Sequence, residues 1–378
     1  MRMKTYVISS GVTKVDRHYE KNYLTLINEA VSKALTNSGL DISDIEYLVV
    51  STAFSETILN QVDPSTYIVQ NLGFRNVKTL TVSSGEVSGA VALDYAHALI
   101  KSGKAHNVLV VGFEKMSEYP SWVINKIYTK ILEYEIEGIK NLTPPDYAAL
   151  IMNEYMRKYG VSREDIVKWS VKMHENAVKN PHAQLQFTIS ADSLGRALRI
   201  SEPVTMLDSH PVSDGAAALL IVDESATKKT NKEPVEVVDI ESSVNLPVYL
   251  RDDITCFSAT ATAYKRLSSK NEIKISKTTA MNVYDTYDIY GLLIIEALGV
   301  CGKGEAPKCL DEMPYLNIGG GLKARGHPVG ATPLYQVHEL RELIGGASWV
   351  KYDGEIALAH SMSGPDNNAW LVLLRRWA

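Results

Sequence analysis

Cysteine is nearly absent from this chain: Cys256, Cys301 and Cys309 are the only three among 378 residues. Their spacing fits no metal-ligand pattern and makes no even-numbered framework, so neither a metal site nor disulfide bonding is expected. Also missing is any apolar run long enough for a signal peptide or a membrane span. The N-terminal MRMKTYVISS passes almost at once into a strand-like run, and a cytoplasmic location with no membrane partner is expected. Nor is there a basic cluster: 39 Lys and Arg stand against 44 Asp and Glu, a net charge of -5, which argues against a nucleic-acid partner. With 45% hydrophobic and 22% charged residues, the chain has ordinary globular composition and length for one large or two fused units.

Taken in order, the chain alternates strand and helix signals. Tyr6 to Ser10 is β-rich, Leu24 to Ser38 has helical apolar spacing, and Tyr47 to Thr52 is a near-continuous apolar strand of the kind buried on both faces of a sheet. Thr79 to Val82, Ser88 to Lys101 and Val108 to Phe113 read as strand, helix and strand. From Glu114 to about Ile200 the strand signal fades and helical or irregular segments take over, as in an inserted loop domain. Ser162 opens one of its helices with a Ser-x-x-Asp pattern. Sheet character returns at Ala216 to Val222.

A second series follows the polar linker Glu224 to Glu233. It comprises strand Val235 to Ile240, helix Ala259 to Leu267, strand Ala280 to Tyr284 and helix Ile289 to Leu298. Strand Tyr315 to Ile318, a helix from Pro328 to about Leu343, and strands Glu355 to His360 and Trp370 to Leu374 complete it. Two α/β units of one topology are therefore expected, residues 1–228 (carrying an insertion at about 115–200) and 229–378. In each, a glycine-containing loop feeds the third helix, at Gly85 to Gly89 and at Gly326 to Gly330. Such helix N-termini present free N–H groups and positive potential, which suits a composite active site.

The densest motif is Asn317 to Thr332, NIGGGLKARGHPVGAT, with three consecutive glycines and His327 held between Gly326 and Pro328. Pro fits the first helical turn and Gly permits unusual backbone angles, so this loop aims an imidazole. GGGLKARGHPVGAT resembles the G-H-P loop of the thiolase superfamily, in particular its archaeal and sterol-carrier-protein-x-like branch. Ser213-Asp214-Gly215-Ala216-Ala217-Ala218 and Asn180-Pro181-His182-Ala183-Gln184 are similar to further family segments. The resemblance implies a thiolase fold: two duplicated βαβαβαββ halves forming a five-layer α-β-α-β-α sandwich with an inserted loop domain.

The catalytic loops depart from the family pattern. Anchored on Ile100 to Met116, Ser88-Gly89 falls on the S-G of the C-x-S-G nucleophile loop and Glu86 on the cysteine; a register using Ser84-Gly85 puts Val82 there instead. Ser83 and Ser84 supply hydroxyls, but no register aligns either. Val283 to Tyr287 resembles H-D-x-F with Tyr284 at the histidine and Thr286 where some members carry a cysteine. Ala359 to Asp366 resembles A-H-N-x-G-G-x-G, with His360 matching, Ser361 for the asparagine, Ser363 for a glycine and Asp366 for a later one. Catalytic candidates are accordingly His327, Glu86, Tyr284 and His360, and substrate-binding candidates Asn317, Gly330, Thr286, Ser361 and Gly364, with no metal.

A family thiolase uses a cysteine thiolate to take up the acyl group. Without one, the expected function is that of an acyl-CoA-binding protein that is not a competent thiolase, serving as a partner subunit or as a non-covalent acid/base catalyst on acyl-CoA. The alternative is acetyl-CoA C-acetyltransferase activity, as the family name implies. Coenzyme A or acyl-CoA is expected as substrate or ligand with no tightly bound cofactor. The resemblance also implies a homodimer or tetramer, joined across Thr79 to Val82, and assembly with a zinc-ribbon/OB-fold protein and a synthase.

Overall fold

The computed structural model describes residues 3–36, 38–230 and 233–377; the ends of both expected halves, Asn37 in the first helix signal and Asn231-Lys232 in the linker lie outside them. The first half contributes β1 (Tyr6–Val12), α1 (Tyr23–Thr36), β2 (Tyr47–Ser51), β3 (Lys78–Val82), α2 (Ser88–Lys101), β4 (Asn107–Glu114) and, after the insertion, β5 (Gly215–Val222). Its strands lie in the order β3-β2-β4-β5-β1, with β2 parallel to both β3 and β4 and β5 antiparallel to both β4 and β1.

The second half supplies β6 (Val235–Val244), α6 (Ser258–Asn271), β7 (Ala280–Asn282), α7 (Asp288–Ala297), α8 (Thr332–Ile344), β8 (Ile356–Ser363) and β9 (Asn368–Arg376). Its order is β7-β8-β9-β6, with β7 parallel to β8 and the other pairs antiparallel. Tyr315 to Ile318 is not a strand: only Leu316 forms an isolated parallel bridge, to Met281 of β7. That bridge sits where β3 sits in the first half, so the two halves share one topology. A two-residue pairing of Tyr6 and Val7 with Glu236 and Val235 joins them.

Apolar residues on both faces of the buried strands separate the helices into layers. α1 packs on one face of the first half through Leu26, Ile27 and Ala30. α2 and α8 lie together between the halves, sharing a core with β4, β5 and β9 through Leu93, Leu334 and Leu340. α6 and α7 cover the far side of the second half through Ala263, Leu267 and Leu293. The five layers anticipated from sequence are thus present. A fully apolar core of this kind gains roughly 25 cal/mol for each Å² removed from water, which explains why β5 carries eight buried residues in GAAALLIV.

The insertion between β4 and β5 holds α3 (Ser121–Tyr128), α4 (Pro144–Tyr159), α5 (Lys168–Ala177) and a hairpin of Arg199–Ser201 with Val204–Thr205. Its α4 and α5 pack on α7 of the second half, where Trp169 lies flush against Gly291 and donates to Asp285 Oδ2 at 2.8 Å. One expectation fails here. Cys301 and Cys309 are joined as a disulfide, their Cα atoms 6.4 Å apart, because the turn through Gly302 and Gly304 brings the chain back on itself. Among the described residues no helix is long and apolar enough to cross a membrane.

Candidate functional site

α2 and α8 meet the two halves where their N-terminal loops converge, and the two loops carry Glu86 and His327. Gly85 makes the turn before Glu86 possible: its φ is +58, and a Cβ there would meet Ser363 Oγ at 2.8 Å. Ser88 then secures the turn, accepting from the Ser84 N–H at 2.8 Å and donating to the Gly85 carbonyl at 2.6 Å. Glu86 is left buried at the helix entrance. Val82, the other register, ends β3 outside the site.

His327 is fixed from three sides. Its backbone N–H donates to Ser213 Oγ at 2.9 Å, its Nδ1 pairs with Thr332 Oγ1 at 2.8 Å, and the edge of one ring meets the face of the other between His327 and Tyr284 at 5.3 Å. Behind it, Asn317 clamps the loop by bonding both the N–H and the carbonyl of Val283, at 2.7 and 3.3 Å. Gly330 donates to Glu114 Oε2 at 3.0 Å and packs so tightly on Thr52 that a Cβ would come within 2.5 Å of its Cα. Asn317 and Gly330 therefore shape the loop from behind.

Glu86 Oε1 and His327 Nε2 stand 3.6 Å apart, while Glu86 Oε2 accepts from the Gly364 N–H at 2.8 Å. Tyr284 donates its hydroxyl to the Glu86 backbone carbonyl at 3.0 Å. Loss of water around the carboxyl outweighs the Gly364 hydrogen bond and the nearby His210, and it pushes Glu86 up to about 7. Burial, with Arg325 adding to it, holds His327 well below the usual histidine range, so the imidazole is neutral. A carboxyl titrating near neutrality beside a neutral imidazole is suited to moving protons.

In front of Glu86 lies a cavity of about 440 Å³ whose wall is mostly apolar. Glu86 comes from the first half, Tyr128, Leu198, Met206 and His210 from the insertion, and Thr286, Tyr287, Tyr290 and Gly364 from the second half. Glu86, Thr286 and Gly364 are thus brought together in one wall, with Tyr284 and His327 directly behind Glu86. None of the three cysteines is in the wall.

The remaining candidates serve elsewhere. His360 is buried outside the wall, with both ring nitrogens committed: Nδ1 accepts from the Tyr284 N–H at 3.4 Å, and Nε2 pairs with Thr260 Oγ1 at 2.9 Å. Thr260 in turn donates its hydroxyl to Asp366 Oδ1 at 2.6 Å. Ser361 donates to Gln336 Oε1 at 3.2 Å and does not reach the cavity. His360 and Ser361 lie outside the cavity wall and hold the C-terminal loop. Asp366 keeps the glycine-like φ of +60, and its carboxylate caps α6 by accepting from the N–H groups of Ala259 and Thr260 at 2.9 and 3.0 Å.

Among the wall residues that escaped the sequence are Tyr128, His210 and Tyr290. The insertion brings the first two in from segments without strand or loop patterning, and His210 stands three residues before the Ser213 to Ala218 match.

Known proteins share this architecture. Residues 5–225 match the family described as thiolase, N-terminal domain, and residues 242–376 the family described as thiolase C-terminal domain-like. The chain is 32% identical over 346 residues, 88% of each chain, to an acetyl-CoA acetyltransferase of Methanocaldococcus jannaschii. It is 29% identical over 386 residues to sterol carrier protein 2 of Bos taurus, covering 96% of this chain and 70% of that one. A solved structure described as an Ltp2-ChsH2(DUF35) aldolase superposes with a TM-score of 0.83 at 21% identity, covering 99% of this chain and 98% of the other.

Proposed function

The chain belongs to the thiolase family, and on that premise we propose that it binds acyl-CoA thioesters and acts by acid–base chemistry on the carbon beside the thioester, without forming an acyl-enzyme. The observation that carries this reading is Glu86, set at the entrance of α2 against His327 in a cavity without cysteine. A carboxylate attacking a thioester would give a mixed anhydride, poorly suited to onward transfer. The same carboxyl, poised near neutral pH, is suited to removing a proton next to a thioester carbonyl.

His327 and Tyr284 act behind it. His327 presents a neutral nitrogen toward Glu86 and Tyr284 fixes the Glu86 backbone, so the carboxyl is oriented by groups that do not themselves titrate near neutrality. The similar structure is described as an aldolase, a name that supports carbon–carbon chemistry over acyl transfer. Its DUF35 component supports a protein partner for this chain as well. The outer edge of β3 would take a second copy, giving a homodimer or tetramer.

Acyl transfer, favoured by the name of the archaeal relative, is the second reading. The two separate in one assay. With acetyl-CoA in heavy water, the wild type should exchange α-protons faster than a protein-free control and Glu86→Gln should not. CoA-dependent cleavage of acetoacetyl-CoA without exchange would replace the acid–base reading by acyl transfer. CoA-ester binding with neither activity would leave a binding subunit.

A further inference from the structure

Two imidazoles meet beside Glu86, and only one of them reaches the cavity. The rings of His210 and His327 are 4.6 Å apart and nearly perpendicular at 82°. His327 is fully enclosed, whereas His210 is only partly buried and forms part of the cavity wall. His210 Nδ1 faces the Pro211 carbonyl at 3.1 Å. A carbonyl can only accept, so Nδ1 carries the ring proton and Nε2 is an acceptor. Burial, with His327 adding to it, pushes His210 down to about 3, which keeps the ring neutral.

Tyr128 stands next to it, with ring centroids 5.9 Å apart, and its hydroxyl is buried without a hydrogen-bond partner. Burial holds this phenol protonated, and so a donor. Buried hydroxyls are seldom left unpaired, since each one costs stability. An unpaired donor on one wall residue and a free acceptor on its neighbour are the two halves of a receptor for a hydroxyl group.

We propose that Tyr128 and His210 together bind a hydroxyl on the acyl carbon one bond beyond the carbon that faces Glu86, so that the chain takes 3-hydroxyacyl thioesters in preference to 3-oxoacyl ones. A hydroxyl accepts from Tyr128 and donates to His210 at once. A ketone oxygen can use only Tyr128, and a methylene leaves both unpaired. Leu198, Ile200 and Met206 further along the same wall would take an apolar remainder of the acyl chain. The inference rests on the acid–base reading of Glu86, which fixes where the thioester lies.

The test is calorimetric binding of three CoA ligands in which a methylene replaces the thioester sulfur: octanoyl, 3-hydroxyoctanoyl and 3-oxooctanoyl. The wild type should bind the hydroxy ligand about tenfold or more tightly than either of the others. That preference should fall to near one in Tyr128→Phe, which removes only an unpaired hydroxyl and should fold at least as stably. It should fall likewise in His210→Asn, which retains a donor to Pro211 and lacks Nε2. Equal binding of all three by the wild type, or a preference that survives either substitution, would overturn the inference and leave the Glu86 reading standing. Binding of none of them would remove both.

Discussion

Glu86 Oε1 lies 3.6 Å from His327 Nε2, and that nitrogen has no hydrogen-bond partner. The separation is too long for a hydrogen bond. Two buried groups that could form an ion pair therefore remain a near-neutral pair, and the proton stays with Glu86 up to about pH 7. This arrangement suits a base that collects and returns a proton.

Activity should follow the carboxylate. Since the deprotonated form is the base, α-proton exchange should rise with pH and level off above about 7. A profile that is flat from pH 5 to 9 would remove Glu86 from the role. Glu86→Gln should lower exchange by roughly 10²-fold or more, the usual contribution of a positioned base.

Stability should move the opposite way. The folded chain holds the Glu86 proton up to about 7, against an ordinary carboxyl value of 4.5, so between these values the native state binds more protons than the unfolded chain. Unfolding free energy then falls as pH rises through that window. Asp285, pushed up to about 7, and Asp366, pushed up to about 6, contribute in the same direction. Thermal unfolding of Glu86→Gln from pH 4.5 to 7.5 should show a smaller loss of Tm than wild type. An equal loss would mean the carboxyl is already ionised.

Gly330→Ala tests which side of the loop that glycine serves. A Cβ would come within 2.5 Å of Thr52 Cα and 2.9 Å of the Ala53 nitrogen, both backbone atoms that cannot swing aside. The expected cost is about 1–3 kcal/mol of stability, measured by denaturant unfolding. A fully stable variant with weakened acyl-CoA binding would instead make Gly330 a substrate contact.

Asp366→Ala should lose about 1–2 kcal/mol, the usual cost of removing a helix cap, because its carboxylate holds the start of α6. His360→Ala should likewise be felt in stability through Thr260, to which its ring is bonded. If His360→Ala abolished exchange in a protein of wild-type Tm, His360 would return to the reacting group.

Much of this was legible in the sequence because the halves repeat one pattern. Apolar runs such as VLVVGF announce strands through local chemistry and fell where expected; after the Gly-His-Pro loop a 3-10 turn, Val329–Ala331, comes first and the helix begins at Thr332 rather than Pro328. Counting from the Ile100 to Met116 segment points to Glu86, with Val82 as the alternative, and of the two only Glu86 lines the cavity. What was not legible depends on long-range closure. Cys301 and Cys309 pair through a turn that composition does not reveal. Tyr315 to Ile318 has a strand-like sequence, yet only Leu316 pairs, since the chain leaves the sheet at Asn317, whose φ is +45. His360 stands out by its place in the motif; that its ring is bonded to Thr260, 100 residues before it, and Thr260 in turn to Asp366, is not visible in the sequence. Tyr128 and His210 reach the wall only because the insertion folds back over the mouth of the cavity.

The central claim is that Glu86 moves protons without carrying an acyl group. One pair of samples decides it: acetyl-CoA in heavy water with and without the protein, the thioester followed by NMR and the intact protein by mass spectrometry. The account predicts deuterium entering the carbon beside the thioester faster with the protein than without it, while the protein mass stays unacylated. An acylated protein, or unchanged α-protons in a sample that binds the ligand, would contradict it.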